Sequence, residues 1–418
     1  MTNQNNKQTI GLFGFGVVGE GLYHVLQHSH TTRASVKKIC ILNPEKERNL
    51  PKEKFTFDAD DILDDKDINL VVELINDAEE AFHIVSRALK KGKSVVSGNK
   101  AMLAAHLPEL IELQQKTGAA LLYDASACGS IPVIRNLEEY YDNDLLLSIT
   151  GILNGSSNFV LSKIFNEKKS YPEAVKEAQE LGFAETDPSL DMGGWDSLFK
   201  LIILALHGFG TWVDPEEIFV SGISNLKEGD IRFAREKGYR LKLVAQATKV
   251  NGKSFNLMVM PKMVSEEEYI YNVENEYNGV IIEGAFYEKQ FMFGKGAGAF
   301  PTGSSVLSDI TARMHGYRYE YKKKKYFRVP RHSNNVMVKI YLRFNNLSDL
   351  NRFEFESIEE KLISRDYNYV VGYISLSRLI RIRKQAQAMD IFIAFFDFPV
   401  RGDFSQTLTE QATAQVQA

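Results

Sequence analysis

The stretch TIGLFGFGVVGEGLYHVLQ (residues 9–27) passes from a short apolar run into a glycine-rich turn and then into a helical pattern. Residues 9–14 read as a buried strand. Gly14, Gly16 and Gly19 follow the spacing G-x-G-x-x-G, with Phe15, Val17 and Val18 between them. Three glycines at that spacing recur by chance, so the motif alone is weak. A strand before it and a helix after it supply the context it needs. There the glycines make a tight turn, let the backbone approach a pyrophosphate, and aim a helix N-terminus at its charge. A glycine-rich turn that binds nothing has no need of that context and is the weaker reading.

Outward from this turn, strands and helices alternate. A second strand, VKKICIL (36–42), ends at Asn43, where NAD-selective proteins commonly carry an acidic residue for the ribose hydroxyls. Lys46 and Arg48 follow; they either accept a 2′-phosphate or are solvated surface charge. Then come INLVVELI (68–75), a helix over 78–92, the strand KSVVSG (93–98), a helix from 102 and the strand AALLYDAS (119–126). This alternation predicts a doubly wound parallel sheet. LLLSITGIL (145–153) reads as the last strand of this half.

At 418 residues the chain is long enough for two or three domains. Its 44% hydrophobic and 25% charged composition is that of a globular protein. A net charge of -4 excludes the basic excess that a nucleic-acid binder uses against phosphates. Cys40 and Cys128 are the two cysteines, too few for a disulfide framework or a cysteine metal site. No run of eighteen apolar residues spans a membrane. The polar start lacks the apolar core of a secretion signal, so a cytoplasmic location is expected.

The second half opens on a helix over 170–182, with Ser170 and Glu173 as its capping box and Gly182 as its stop. GFAETDPSLDMGGWDSLFK (182–200) follows and places Lys200 at the edge of a greasy helix, among Leu198, Phe199, Leu201 and Ile202. Asp187, before Pro188, reads as a turn former. SFNLMVMPKMV (254–264) and YNGVIIEGAFYEKQFMFG (277–294) read as strands of a mixed α+β domain. GKGAGAFPTGSSVLSDI (294–310) puts a glycine-rich loop before a helix, and YKKKKYFRVPR (321–331) reads as a solvated basic linker. VMVKIYLRF (336–344), a helical FESIEEKLI (355–363), YNYVVGYISL (367–376) and DIFIAFFDF (390–398) make a small α+β unit before a polar tail. His207 reads as a core histidine, and Cys128 has no histidine partner for a nucleophile role.

Five segments in one order resemble the homoserine dehydrogenases: GFGVVGEG (14–21), VVSGNKAMLA (95–104), GILNGSSNFVL (151–161), the 182–200 block and the 294–310 loop. The 182–200 block is the specific one. The resemblance implies an NAD(P)-dependent oxidoreductase acting on a CH–OH group. It would reduce L-aspartate 4-semialdehyde reversibly to L-homoserine, on the route to threonine, methionine and isoleucine, with NADP or NAD. Lys200 becomes the catalytic proton donor with Asp196 beside it, and Glu185 and Asp191 hold the substrate's amino group. Lys100 lies at the junction of cofactor and substrate, and Gly298 joins residues 14–19 on the cofactor. In YDASACGSIP (123–132), the main-chain oxygens of Asp124, Ala127, Gly129 and Ile131 bind sodium or potassium.

The α/β fold expected is a Rossmann-type nucleotide domain over 1–150 and an α+β substrate-binding and dimerisation domain over 151–293. A return segment, 294–325, packs on the nucleotide domain, and an ACT-like, degenerate C-terminal unit covers 326–400, before a tail at 401–418. The resemblance and the apolar strands of 255–293 imply a homodimer or a dimer of dimers. The C-terminal unit shows no clear effector-binding glycine turn, so threonine is expected to inhibit weakly or not at all. The chain departs from the family in Asn76-Asp77, where a glycine pair is usual, in NGSSN for NGTTN, and in Asp124 for glutamate. Two other readings stay open on the sequence: an oxidoreductase for another amino-acid semialdehyde, and a catalytically silent nucleotide sensor.

The chemistry needs these residue types. Hydride addition to an aldehyde leaves an alkoxide, and a cation aimed at that oxygen stabilises the transition state more than the ground state. Asp196 and Lys200, four apart, share a helix face and can pair. A rigid apolar helix fixes the ammonium's position.

Overall fold

The computed structural model describes residues 7–30, 32–387 and 389–396. The opening residues 1–6 and the tail expected at 401–418 lie outside the described residues. The chain forms two compact units, residues 1–140 with 294–321, and 141–293 with 322–418.

In the first unit, β1 (Gln8–Phe13), β2 (Ala34–Cys40), β3 (Phe55–Thr56), β4 (Leu70–Glu73), β5 (Ser94–Ser97) and β6 (Leu121–Leu122) form one sheet. Their order is β3-β2-β1-β4-β5-β6 and every pairing is parallel. The order reverses between β1 and β4, which opens a crevice at the carboxyl ends of those strands. β4 and β5 are buried along their whole length, as parallel strands covered on both faces must be. The helices Val17–His28 and Ala299–Met314 run together. A Cβ on Gly21 would lie 2.1 Å from the Ala299 carbonyl oxygen, so only glycine permits that approach.

Side-chain caps set the helix boundaries here. The helix expected from 102 begins at Lys100, because the Asn99 Oδ1 accepts the Met102 N–H at 2.9 Å. Asp77 accepts the Glu80 N–H at 2.8 Å and starts the helix Ala78–Lys90. The departure at Asn76-Asp77 therefore exchanges backbone freedom for a helix cap.

The second unit holds β7 (Leu146–Ile152), β8 (Phe219–Val220), β9 (Arg240–Asn251), β10 (Ser254–Val264), β11 (Tyr277–Gly284) and β12 (Glu288–Lys295). It continues with β13 (Arg331–His332), β14 (Met337–Phe344), β15 (Ser357–Leu362), β16 (Asn368–Ser375) and β17 (Phe392–Phe395). The sheet order is β12-β11-β7-β9-β10-β17-β14-β16-β15, with β8 and β13 paired on β10. β7 corrects the expectation that 145–153 closes the first sheet. It runs antiparallel to both β11 and β9 in the second sheet. A strand buried on both sides reads the same in either sheet, and only its pairing decides.

The C-terminal strands follow the order βαββαβ with the helices Leu347–Leu350 and Leu376–Gln387. They join β10 through a parallel pairing of β17, Lys262 opposite Phe395. The helix expected at 355–363 is instead the edge strand β15, antiparallel to β16. Pairing with β16 overrides the helical preference of Glu359, Glu360 and Lys361. These charges also blunt an exposed edge. In the basic run Lys324, Lys325, Arg328 and Arg331 are exposed, as a solvated charge cluster would be, but Lys322–Tyr326 is a short helix and the buried Lys323 donates to the Gly208 carbonyl at 2.7 Å.

Candidate active site

Lys200 sits on the helix Trp195–Phe209, which Gly194 opens and Gly210 closes, both left-handed at φ 88° and 78°. Its ammonium donates to the Asp196 Oδ2 at 2.7 Å and to the Leu153 carbonyl at 2.6 Å. Lys200 is 7% exposed and Asp196 6%. An apolar helix carries this pair because a buried cation needs a fixed counter-charge; either charge alone would be costly to desolvate. Asp196 lies in the first turn, where the helix dipole also favours a carboxylate.

Asn154, just past β7, joins the neighbouring carboxylates. Its Nδ2 donates to the Asp191 Oδ1 at 2.7 Å and to the Asp196 Oδ2 at 2.9 Å, and its Oδ1 accepts the Ser157 N–H. Burial, and next the Asp196 charge, pushes the Asp191 carboxyl above its ordinary value, against hydrogen bonds from Asn154 and Ser156. Asp191, Asp196 and Lys200 thus form one cluster. Glu185 stands apart: it is exposed, and among the described residues its carboxylate makes no hydrogen bond or ion pair. Asp187 accepts the Ser189 N–H at 3.1 Å and is the turn former expected. His207 is buried in the same helix.

The nucleotide unit divides labour among its glycines. Gly14 has φ 90°, and a Cβ there would lie 2.6 Å from the Leu74 carbonyl oxygen. A Cβ on Gly19 would lie 2.4 Å from the Gly14 carbonyl oxygen. A Cβ on Gly16 would meet nothing within 4 Å beyond its chain neighbours among the described residues, and its φ is -96°. The fold therefore requires Gly14 and Gly19, whereas glycine at 16 leaves room beside the backbone for something else. Gly16 and Val17 are exposed, Val18 is half-buried, and Phe15 packs inward against Tyr23 and Phe55. Gly298 precedes the Ala299–Met314 helix that packs beside this one.

Lys100 is half-buried at the start of its helix. Its neighbour Asn99 donates to the Ile75 and Asp77 carbonyls, and the Ser97 hydroxyl donates to Glu73 at 2.5 Å. Glu73 also accepts the Ile75 N–H, and burial pushes its carboxyl up to about 7. These bonds tie together the loops after β4 and β5.

A family model for homoserine dehydrogenase matches residues 132–311, and one for the homoserine dehydrogenase NAD binding domain matches residues 14–124. The homoserine dehydrogenase of Bacillus subtilis is 37% identical over 318 residues, which is 74% of this chain and 73% of that protein. The chain belongs to the homoserine dehydrogenase family. The homoserine dehydrogenase of Helicobacter pylori is 36% identical over 72% of each chain. A homoserine dehydrogenase structure from Thiobacillus denitrificans superposes with a TM-score of 0.82 at 28% identity, covering 94% of this chain and 98% of that one. A hyperthermophilic archaeal homoserine dehydrogenase in complex with NADPH gives a TM-score of 0.65 at 26% identity, covering 75% and 99%. The chain is thus an NAD(P)-dependent oxidoreductase of this family.

For a homoserine dehydrogenase with a resident alkali cation, the 123–132 loop has a suitable donor set of main-chain oxygens. Cys128 and Gly129 are left-handed at φ 57° and 56° and turn the loop. The Asp124 carbonyl accepts the Ala127 N–H at 3.3 Å and that of Ile131 the Val133 N–H at 2.8 Å. No hydrogen bond from described residues falls on the Ala127 and Gly129 carbonyls. Asp309 anchors the loop, accepting the Asp124 N–H at 2.8 Å and the Arg135 guanidinium at 2.5 Å. Burial, with the Asp124 charge, raises its carboxyl above the ordinary value. Among the described residues no group of three or more His, Cys, Asp and Glu could hold a metal ion, and no helix is long and apolar enough to cross a membrane.

The NGSSN motif by itself gives Asn154 no task. An asparagine that begins a helix looks like a cap, and here it is a cap and a bridge at once.

The open space at Gly16 gives a direct test. Gly16→Ala should leave thermal stability unchanged, since its Cβ meets no protein atom. Its dissociation constant for NADPH, measured by fluorescence titration, should rise by about tenfold or more, the scale of losing one close backbone–phosphate contact. Unchanged NADPH affinity would show that the pyrophosphate lies elsewhere.

Proposed function

We propose that this protein reduces L-aspartate 4-semialdehyde to L-homoserine, and catalyses the reverse, with Lys200 as the proton donor. The observation that carries this reading is the state of the Lys200 ammonium. Two of its N–H bonds are spent on Asp196 and on Leu153, which leaves the third for a substrate oxygen. Bound NAD(P)H supplies the hydride that forms the new C–H bond at the aldehyde carbon. Lys200 stabilises the negative charge growing on the aldehyde oxygen and then delivers a proton to it. Asp196 holds the ammonium in position. Asp191 and Glu185 are read as the carboxylates facing the substrate's ammonium. Asp191 is pre-set by Asn154, whereas Glu185 has no internal partner to leave before it takes a ligand.

Asn43 brings no carboxylate to the end of β2, and Arg48 is held there by the Asn43 and Lys46 carbonyls at 2.9 and 2.7 Å. This supports NADPH as at least as good a donor as NADH. Steady-state kinetics should bear this out, and a large preference for NADH would reject it. Lys200→Ala should slow the chemical step about 10²–10⁴-fold, the scale of losing a general acid. Lys200→Arg should rescue poorly, because guanidinium hardly releases its proton. Glu185→Ala should raise the KM for the aldehyde and leave that for NADPH alone. Near-normal kcat in a folded Lys200→Ala variant, checked by circular dichroism, would move the proton donor to another residue.

The same reading gives the 123–132 loop a sodium or potassium ion that holds the loop in shape, with no chemical step passing through it. Melting temperature should be higher in potassium chloride than in choline chloride of equal ionic strength. Equal melting temperatures count against the ion.

Assembly follows from β12, the outer strand of the second sheet. Phe291 and Phe293 face the same side of it and are 38% and 54% exposed. An open edge with exposed aromatics invites a second copy, and two-fold pairing is the commonest solution. The protein is read as a homodimer or a dimer of dimers. Phe293→Asp should lower the mass measured by light scattering at micromolar concentration; a monomeric wild type would refute the pairing.

A further inference from the structure

The Leu153 carbonyl that holds Lys200 receives a second donor, the Nδ2 of Asn278, at 3.0 Å. Asn278 is fully buried, at 0% exposure. It lies on β11 one residue before Gly279, which pairs with Ile152 on β7. The ladder between these strands therefore delivers the Asn278 amide to the carbonyl just past the end of β7. That acceptor fixes the amide's orientation, since the opposite flip would set Oδ1 against a carbonyl oxygen.

This orientation leaves the Asn278 Oδ1 buried without a hydrogen-bond partner among the described residues. Asn256 is half-paired in the same way, its Nδ2 bonded to Ser333 and Asn334 and its Oδ1 buried without a partner among the described residues, but three other buried asparagines differ. Asn99 and Asn154 use both ends of their amides, and Asn158 donates to three carbonyls while accepting from Lys242. A half-paired buried amide carries an uncompensated desolvation cost. Packing alone does not call for an amide, because an apolar side chain would have no polar atom to bury. The bond to Leu153 is what asparagine adds at this position.

The geometry points to Asn278 as a positioning residue for the catalytic lysine. By occupying one lone pair of the Leu153 carbonyl it fixes that peptide's orientation. Lys200 is then confined to the other lone pair, at the angle that also lets it reach Asp196. Without this clamp the carbonyl can rotate and the ammonium follows it. The inference rests on Lys200 being the proton donor.

Asn278→Leu and Asn278→Asp test it, with Lys200→Ala measured in parallel. Asn278→Leu should lower kcat for aldehyde reduction by up to about 10²-fold, the cost of misplacing a reacting group, with the KM for NADPH unchanged. Asn278→Asp keeps the shape, and its protonated carboxyl can still donate to the Leu153 carbonyl, whereas the ionised form sets a second oxygen against it. Relative to wild type, the kcat of Asn278→Asp should therefore be retained at low pH and fall as the carboxyl ionises, while that of Asn278→Leu stays low at every pH. A role in packing alone would give no such pH-dependent rescue. A folded Asn278→Asp whose kcat keeps a constant ratio to wild type across the pH range overturns the proposal, even if Asn278→Leu fails to fold. If Lys200→Ala instead keeps wild-type kcat, the proton-donor reading itself has failed, which is a separate outcome.

Discussion

A single buried ammonium group sets the terms for the second unit. Lys200 is charged and almost wholly out of water, so its position is stable only while Asp196 and the Leu153 carbonyl both face it. Asp196 comes from the same helix four residues earlier. Leu153 comes from a different element, the end of β7. The distance between that strand end and the helix must therefore be held constant. β7 lies inside the sheet between β9 and β11, with hydrogen-bonded neighbours on both edges. An outer strand would be free to fray; an inner one is not. The antiparallel placement of β7 is thus tied to the chemistry through one carbonyl oxygen.

The nucleotide unit meets a different constraint, the close approach of backbone to ligand. Gly14 and Gly19 are demanded by the protein itself, because a side chain at either would strike a carbonyl. No contact among the described residues demands glycine at 16. A residue that the fold leaves free to vary, and that is nevertheless glycine, is best explained by what comes to sit beside it. Asn278 likewise carries a half-paired amide whose bonded end meets the carbonyl that holds Lys200.

Much of this was legible in the sequence because the signals were local. The glycine spacing between a strand and a helix, the Ser170–Glu173 capping box and the four-residue step from Asp196 to Lys200 each act within a turn or two of backbone. What was not legible depends on partners far along the chain. Residues 145–153 are apolar enough for either sheet, and their place was decided by strands more than ninety residues later. Residues 355–363 carry helix-forming charges, and only β16 makes them a strand. Asn154 reads as an ordinary cap until Asp191 and Asp196 fold around its amide.

The C-terminal strands separate sequence likeness from structural likeness. The family models end at residue 311, whereas the Thiobacillus denitrificans structure superposes over 94% of the chain. A βαββαβ unit asks mainly for alternating apolar residues, which many sequences supply, so its shape persists while its residues drift. Alternation alone leaves register loosely specified. Here a buried ion pair adds what alternation lacks. The Arg343 Nε of β14 meets both oxygens of Asp230 at 3.1 and 3.0 Å, and the Tyr341 hydroxyl donates to the same carboxylate at 2.7 Å. Arg343 also donates to the Asn225 carbonyl at 2.7 Å. A slip of one residue would turn Arg343 to the opposite face and leave Asp230 buried without its cation, a loss of about 3–5 kcal/mol. Well-packed apolar residues could match the pair in stability, but they would tolerate the slip. The charged pair ties the C-terminal strands, in one register, to the helix Glu228–Glu236 that carries Asp230.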